Sequence, residues 1–160
     1  MWTEIETSTY QDHVIKHVLG ATVLAWVTRG DAAHFLLDVG LLWTIYVNAE
    51  MNLMAQSVAI QDLEGDDFTP AEITDLTADA DNLFSHGPQA HDLKLFMASP
   101  VECLITSVRV FADDEQRRVL IAGEVESLEL EMSRADSTFA LAVHTSVGHQ
   151  LPAAPDLTVR

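Results

Sequence analysis

The stretch from Leu41 to Val47, which reads LLWTIYV, constrains the fold more than any other part of the chain. β-Branched and aromatic residues dominate it, and such residues fit the pleated, half-buried surface of a strand. Alternate residues share a side, so both sides are largely apolar: Leu41, Trp43, Ile45 and Val47 on one, Leu42, Thr44 and Tyr46 on the other. The pattern predicts a strand near the middle of a sheet, covered on both faces.

Other apolar alternations predict further strands, and the chain as a whole reads as a sheet assembled around residues 41–47. The predicted strands lie at residues 21–28, 34–37, 53–60, 101–110, 119–125, 128–132 and 139–143. The residues that share the apolar face have odd numbers from Val119 to Val125 and even numbers from Leu128 to Met132. This switch predicts a bulge or sharp bend near Glu126-Ser127. The charged residues Glu124, Glu126, Glu129 and Glu131 then fall on the solvent-exposed side of one strand pair. There they would protect a sheet edge from pairing with another chain.

Two helices are predicted from capping residues. The first is capped by Ser8 or Thr9 and ends near Gly20. The second has Thr69 at its cap, Pro70 at its first position and Glu72 in a capping box, and ends at Gly87-Pro88. Its apolar stripe consists of Ile73, Leu76, Ala80, Leu83 and Phe84. The polar residues Asp75, Asp79 and Asn82 are predicted to point away from the protein.

These elements indicate an α+β domain with a mainly antiparallel sheet of about six or seven strands, packed with one or two helices. Partial closure of the sheet into a barrel is an alternative. The chain has 160 residues, the usual size of one domain. We expect a single domain over residues 1–148 and a loose tail over 149–160, where two prolines lie.

The charge of the chain limits its partners. Lys and Arg total 8 and Asp and Glu total 25, giving a net charge of −17. Such a balance repels phosphate backbones and anionic lipid surfaces, so we expect neither nucleic-acid nor membrane binding. The acidity serves either as a solubilising surface or as an electrostatic match to a basic partner protein.

Cysteine usage and the start of the chain indicate a compartment. Cys103 is the single cysteine, so no internal disulfide forms, which fits a reducing environment. In its strand pattern it reads as a small buried hydrophobe. No secretory signal pattern opens the sequence, and the apolar block over residues 35–47 is too short to span a bilayer. The expected location is the cytoplasm.

Two histidines have the spacing of a metal site. His13 and His17 are four residues apart, which on a helix places both on one face. Zinc proteases with this spacing need Glu after the first His, and Val14 stands there instead. With seven histidines in the chain, chance pairs are expected, so exposed or singly hydrogen-bonded histidines are the simpler interpretation. His13 and His17 remain the candidate metal ligands.

The aromatic residues of the predicted strands offer a candidate ligand pocket. Trp26, Trp43 and Tyr46 would line a space between sheet and helix, although aromatic residues in strands usually belong to the core. The sequence contains no nucleophile elbow, no glycine-rich phosphate loop and no C-x-x-C motif, so no catalytic residue is assigned and no cofactor is expected.

The sequence therefore favours a non-enzymatic acidic binding protein that acts through protein–protein contacts, in the manner of a chaperone or an inhibitor. A basic protein is the expected partner, and a homodimer is the expected assembly. The alternative is a small-ligand-binding protein or an enzyme with an apolar pocket between sheet and helix.

Overall fold

A computed structural model describes residues 2–29, 32–47, 52–60, 63, 68–135 and 138–147. The expected tail at 149–160 lies outside the described residues. Residues 30–31, 61–62 and 64–67 also lie outside them.

The described residues form nine strands and two α-helices. The helices are α1 (Thr9–Val18) and α2 (Pro70–His86), and a short 3-10 turn (Gly87–Gln89) follows α2. The strands are β1 (Thr3–Ile5), β2 (Thr22–Arg29), β3 (Ala32–Leu37), β4 (Leu42–Val47), β5 (Leu53–Val58), β6 (Met97–Asp113), β7 (Gln116–Gly123), β8 (Glu126–Ala135) and β9 (Thr138–Val147). Neither helix has the length and apolarity that a bilayer crossing requires.

All strands belong to one antiparallel sheet, in which eight of them follow the order β5-β4-β3-β2-β6-β7-β8-β9. The ninth, β1, pairs with residues 110–112 of β6. The sheet does not close, so β5 and β9 are its edge strands. The predicted α+β class is confirmed, with more strands than expected. The extra strand β1 has three residues, too few to show a period of two in the sequence.

Strand β6 connects the two halves of the sheet. Its first part pairs with β2 and its second part with β7. The register shifts twice along it, once opposite Val23 to Ala25 and once between Ile105 and Ser107. Pro100 lies in the first irregular stretch, where its missing N–H costs no regular ladder bond. These shifts let the long strand bend, so the sheet curls.

The predicted strand at Leu41 to Val47 is confirmed as β4, but it lies one place from the β5 edge rather than near the middle of the sheet. Its two faces belong to two different cores, which explains why both sides are apolar. Trp43 and Ile45 face the core shared with α1, and Leu42 faces the core under α2. Burial of both faces depends on these layers and does not require a central position.

Helix α1 packs inside the curl of the sheet and α2 packs outside it. The inner core combines Val14 and Val18 of α1 with side chains from both halves of the sheet: Val23, Phe35, Trp43, Ile45, Val47, Leu53, Cys103, Ile105, Val110, Val119, Ile121, Leu128, Leu130 and Met132. The outer core places Leu76, Ala80 and Leu83 of α2 against Ala25, Val27, Leu36, Leu42, Ile60, Phe68 and Phe96.

Both predicted helix starts are confirmed. Ser8 caps α1 and forms a capping box with Gln11, and Thr69 and Glu72 form one on α2. Glu72 also receives two hydrogen bonds from the Arg29 guanidinium, at 3.1 and 3.0 Å. Hydrogen bonds from Arg29 and from the Thr69 backbone lower the pKa of Glu72. The expected apolar stripe was wrong at Phe84, which is 45% exposed.

The prediction that Asp79 points away from the protein was also wrong. Asp79 is 3% exposed, and its carboxylate accepts backbone hydrogen bonds from Lys94, Leu95 and Phe96 at 2.7–3.1 Å. These amides belong to the segment that leads from α2 into β6. An ionised carboxylate accepts such bonds strongly, which compensates for its removal from water. The sequence showed a polar residue on a helix but not the amides that surround it.

Substitution of Asp79 by Asn should destabilise the protein by about 2–4 kcal/mol, because an amide loses the charge and turns N–H donors toward other N–H donors. Urea unfolding at neutral pH measures this change. Asp81→Asn on the same helix is the matched control, since Asp81 is exposed and should cost less than about 0.5 kcal/mol. Equal effects of the two substitutions would contradict the structural role of Asp79.

Of the two alternatives predicted near Glu126-Ser127, a bulge or a sharp bend, the structure has the sharp bend. The chain reverses at Glu124 and Val125, between β7 and β8, and each of these strands carries one of the two apolar sets. Gly123 makes this reversal feasible, because a Cβ there would lie 1.9 Å from the Glu126 carbonyl oxygen. The Gly123 N–H also donates to the Ser127 hydroxyl at 3.1 Å.

Candidate functional site

The curl of the sheet brings edge strand β5 opposite β6 and β7 without pairing them, and leaves a cleft that we call the seam. The open part of the seam has a volume of about 560 Å³ and its lining includes Ile5, Glu6, Gln11, Leu53, Met54, Val110 and Arg117. A narrow inner cavity of about 20 Å³ shares part of this lining and is otherwise bordered by apolar side chains, among them Ile15, Trp43, Ile45, Val108 and Val119.

Helix α1 covers the inner cavity and also touches the edge strand. Ile15 lines the cavity beneath the helix. The side-chain amide of Gln11 donates a hydrogen bond to the backbone carbonyl of Leu53 in β5. Since Gln11 also belongs to the capping box of α1, the start of the helix and the edge strand are held by one side chain.

The backbone groups that β5 presents to the seam follow from the hydrogen-bond alternation of the sheet. The Leu37 N–H donates to the Leu41 carbonyl, so the odd-numbered residues of β4 bond to β3 and the even-numbered ones to β5. Their β5 partners are residues 54, 56 and 58. The N–H and C=O groups of Leu53, Ala55 and Ser57 therefore point away from the sheet, consistent with the bond from Gln11 to Leu53.

The three aromatic residues predicted to line a pocket do not lie together. Trp26 and Trp43 share the inner face and are linked through Phe35, with ring centroids 6.4 and 5.8 Å apart. Trp43 borders the inner cavity of the seam, is 1% exposed, and its indole N–H has no hydrogen-bond partner among the described residues. Tyr46 alternates to the opposite face of β4, the face toward α2.

Charged residues of both signs border the seam, because Glu6 and Arg117 both belong to its lining. A neighbouring shallow cleft of about 300 Å³ is bordered by Glu4, Glu6, Asp12 and Arg109. Arg109 forms two hydrogen bonds with the Glu4 carboxylate, at 3.1 and 2.9 Å, which tie β1 to β6. These bonds lower the pKa of Glu4. Glu6 and Asp12 are exposed, and Asp12 accepts a hydrogen bond from the Thr7 hydroxyl.

The two histidines predicted as metal ligands are brought together. His13 and His17 lie on the exposed face of α1, with 3.2 Å between their Nε2 atoms. Their ring planes are nearly perpendicular, at 86°. Among the described residues, no group of three or more His, Cys, Asp or Glu side chains is arranged to hold a metal ion.

Two other residues with reactive side chains are buried. His34 is 2% exposed, and its Nδ1 lies 2.8 Å from the Thr44 hydroxyl, on the face toward α2. Cys103 is buried in the inner core as predicted, and burial raises the pKa of its thiol to about 11. A thiol with such a pKa is a poor nucleophile at neutral pH.

A cluster of charged residues lies on the outer face of β7, β8 and β9. Arg118 stacks on the Trp2 ring, 4.3 Å from its centroid, and bonds to the Glu131 carboxylate at 2.8 Å. His144 Nε2 lies 3.4 Å from the same carboxylate. Glu129, expected on a wet edge, is instead 2% exposed, because β8 is an inner strand and Trp2 packs over this face.

Burial raises the pKa of Glu129, and Glu131 acts in the same direction, whereas the charges of Arg118 and His144 lower it. One carboxylate oxygen of Glu129, Oε2, has no hydrogen-bond partner among the described residues. The other, Oε1, is 3.9 Å from Arg118 Nε. The carboxylate is thus incompletely compensated for its loss of water.

We expect the stability of the protein to depend on the ionisation of Glu129. A raised pKa in the folded state means that its contribution to stability is present at low pH and is lost as pH rises from about 4.5 through the folded value. Glu129→Gln should therefore gain stability relative to the wild type as pH rises from 4 to 7, on the order of 1 kcal/mol. Urea unfolding at several pH values measures the difference.

Glu115→Gln is a suitable control for this series, because Glu115 is exposed and bonds to Arg134 at the surface. This variant keeps Glu129, so it should retain the loss of stability that the ionisation of Glu129 causes as pH rises. A Glu129→Gln variant whose stability difference from the wild type is constant between pH 4 and 7 would exclude the proposed ionisation effect.

The seam was not predicted from the sequence. Its two walls come from residues 53–55 and residues 108–119, which only the bend of β6 brings together. The one signal in the sequence was the weak alternation of apolar and polar residues in β5. It is weak because the start of this strand faces a core and its end faces solvent.

Comparisons of the chain with protein-family models, with curated proteins and with solved structures gave no match.

Proposed function

We propose that this chain is a non-enzymatic binding protein that receives an extended segment of a basic partner protein in the seam. The observation that carries the proposal is edge strand β5, whose outward backbone groups border an open, partly apolar cleft. An extended segment would add to the sheet as a further strand and place alternate side chains toward the cleft.

The chemistry of the seam supports an extended peptide. The outward N–H and C=O groups of Ala55 and Ser57 have no hydrogen-bond partner from a loop, turn or side chain among the described residues. Main-chain bonds to them would supply affinity for any sequence in an extended conformation. The apolar side chains of Ile5, Met54 and Val110 would select apolar residues in the partner.

The charge of the chain supports a basic partner. The net charge is −17. The exposed carboxylate of Glu6 lines the seam together with Arg117, and that of Asp12 borders the neighbouring cleft. Complementary charge raises the rate of association and disfavours acidic competitors. In a segment that alternates basic and apolar residues, the basic side chains would lie near these carboxylates. The apolar side chains would contact the apolar lining of the seam.

The volumes of the seam favour this function over the alternative of a small apolar ligand. The inner cavity beside Trp43 measures about 20 Å³, close to the space of one water molecule and far below that of a drug-sized ligand. The open cleft of about 560 Å³ is large enough for several side chains but also contains Glu6 and Arg117.

An octapeptide of alternating Lys and Val, labelled with a fluorophore, tests the proposal by fluorescence anisotropy. Binding should weaken when salt rises from 0.05 to 0.5 M, because screening reduces charge attraction. The matched peptide of alternating Glu and Val should bind at least about tenfold more weakly, since like charges oppose it. Absence of binding by both peptides would exclude this partner class.

Substitutions of Ser57 locate the binding at β5. Ser57→Pro removes an outward N–H and should weaken binding of the Lys-Val peptide at least about tenfold, while an edge strand tolerates proline. Ser57→Ala keeps the backbone donor and should bind as the wild type does. Thermal melting verifies that both variants fold. Equal binding by the proline and alanine variants would place the peptide elsewhere.

The other edge strand, β9, is the surface at which we propose that two copies pair. Its sequence from Thr138 to Val147 contains no Asp, Glu, Lys, Arg or Pro, the residues that commonly block edge pairing. The Arg134 N–H donates to the Glu115 carbonyl, so the even-numbered residues of β8 bond to β7 and the odd-numbered ones bond to β9. Leu141, Val143 and Thr145 then turn their backbone groups to the open edge.

Thr145→Pro should shift the protein from dimer to monomer in sedimentation-velocity experiments, because it removes an outward donor of β9. Thr145→Ala should leave the dimer intact. A wild-type chain that sediments as a monomer at high micromolar concentration would contradict edge pairing. A proline variant that remains dimeric would place the dimer contact elsewhere.

A further inference from the structure

The histidine pair on α1 has a geometry that goes beyond the proposed peptide binding. The Nε2 atoms of His13 and His17 are 3.2 Å apart, and both side chains are exposed. Two imidazole nitrogens that bind one tetrahedral ion at 2.0–2.1 Å are separated by about 3.3 Å. The pair therefore already has the spacing that chelation of one ion requires.

The helix holds the two rings at this spacing. Residues four apart lie one above the other on a helix surface. Capping by Ser8 fixes the start of α1, and Val14 and Val18 anchor its buried face in the inner core. The two imidazoles thus project from a supported helix face, and binding an ion needs only changes of side-chain rotation.

We infer that His13 and His17 chelate one late first-row divalent ion, such as Zn²⁺, Ni²⁺ or Cu²⁺, through their Nε2 atoms. Imidazole suits these ions, whereas Mg²⁺ and Ca²⁺ prefer oxygen ligands. Since no third His, Cys, Asp or Glu joins the pair among the described residues, water fills the remaining positions. The net charge of −17 draws cations toward the chain.

The site differs from a neutral hydrogen bond between the two rings, in which one Nε2–H donates to the other Nε2. When an ion binds, the donating imidazole takes the tautomer with its proton on Nδ1, so that both rings stay neutral and both Nε2 lone pairs coordinate the ion. A metal that binds the folded chain also stabilises it by mass action, so the melting temperature must rise with ion concentration. A hydrogen-bonded pair without metal affinity gives no such rise.

Isothermal titration of the full chain, purified without a histidine tag, with ZnCl₂ tests the inference. The wild type should bind one ion per chain. His13→Ala and His17→Ala should each weaken binding at least about tenfold, because one ligand cannot chelate. His86→Ala is the matched control, since His86 is exposed at the end of α2 and bonds to Asn82, and it should bind as the wild type does.

A second measurement separates chelation from weak surface binding. Addition of Zn²⁺ should raise the melting temperature of the wild type and of His86→Ala, but not of His13→Ala or His17→Ala. The copper complex should be tighter than the zinc complex, as the order of divalent affinities requires. Zinc affinity that is the same in the wild type and both α1 variants would overturn the inference, as would one ion shared by two chains.

Discussion

The bend of β6 is the constraint on which the rest of the structure depends. One strand of 17 residues pairs with β2 at its start and β7 at its end, so a single sheet contains both halves of the chain. The two register shifts let it bend without loss of continuity. Helix α1 packs with Val14 and Val18 against the inner face of the curl, and the apolar residues of both halves meet in one inner core. A straight β6 would leave those faces open to water.

The same bend creates the seam. The sheet curls far enough to bring β5 opposite β6 and β7 but does not close, so the outward backbone groups of β5 have no partner strand among the described residues. Closure into a barrel would have satisfied them internally and removed the edge. Helix α1 partly compensates, because Gln11 bonds to the Leu53 carbonyl and Ile15 covers the inner cavity. The proposed function thus uses what the open architecture leaves unsatisfied.

Buried charges show how the structure changes the meaning of individual residues. Asp79 and Glu129 both occupy positions that a simple alternation assigns to solvent. Asp79 is compensated by three backbone amides, which makes its carboxylate a structural element of the α2–β6 connection. Glu129 has weaker compensation, from the charges of Arg118, whose Nε is 3.9 Å away, and of His144, and burial raises its pKa. The difference lies in the number of donors, which no local pattern reveals.

The sequence by itself determined the local elements. The capping boxes at Ser8 and Thr69 and the alternation through Trp43 are short-range signals, and hydrogen bonds or side-chain periods within a few residues carry them. It also determined that His13 and His17 share one face of a helix. Only the tertiary structure decided that β4 lies beside an edge, that Asp79 and Glu129 are buried, and that residues 53–55 face residues 108–119 across a cleft. Those outcomes depend on the bend of β6 and on contacts between distant segments, which the order of residues along the chain does not display.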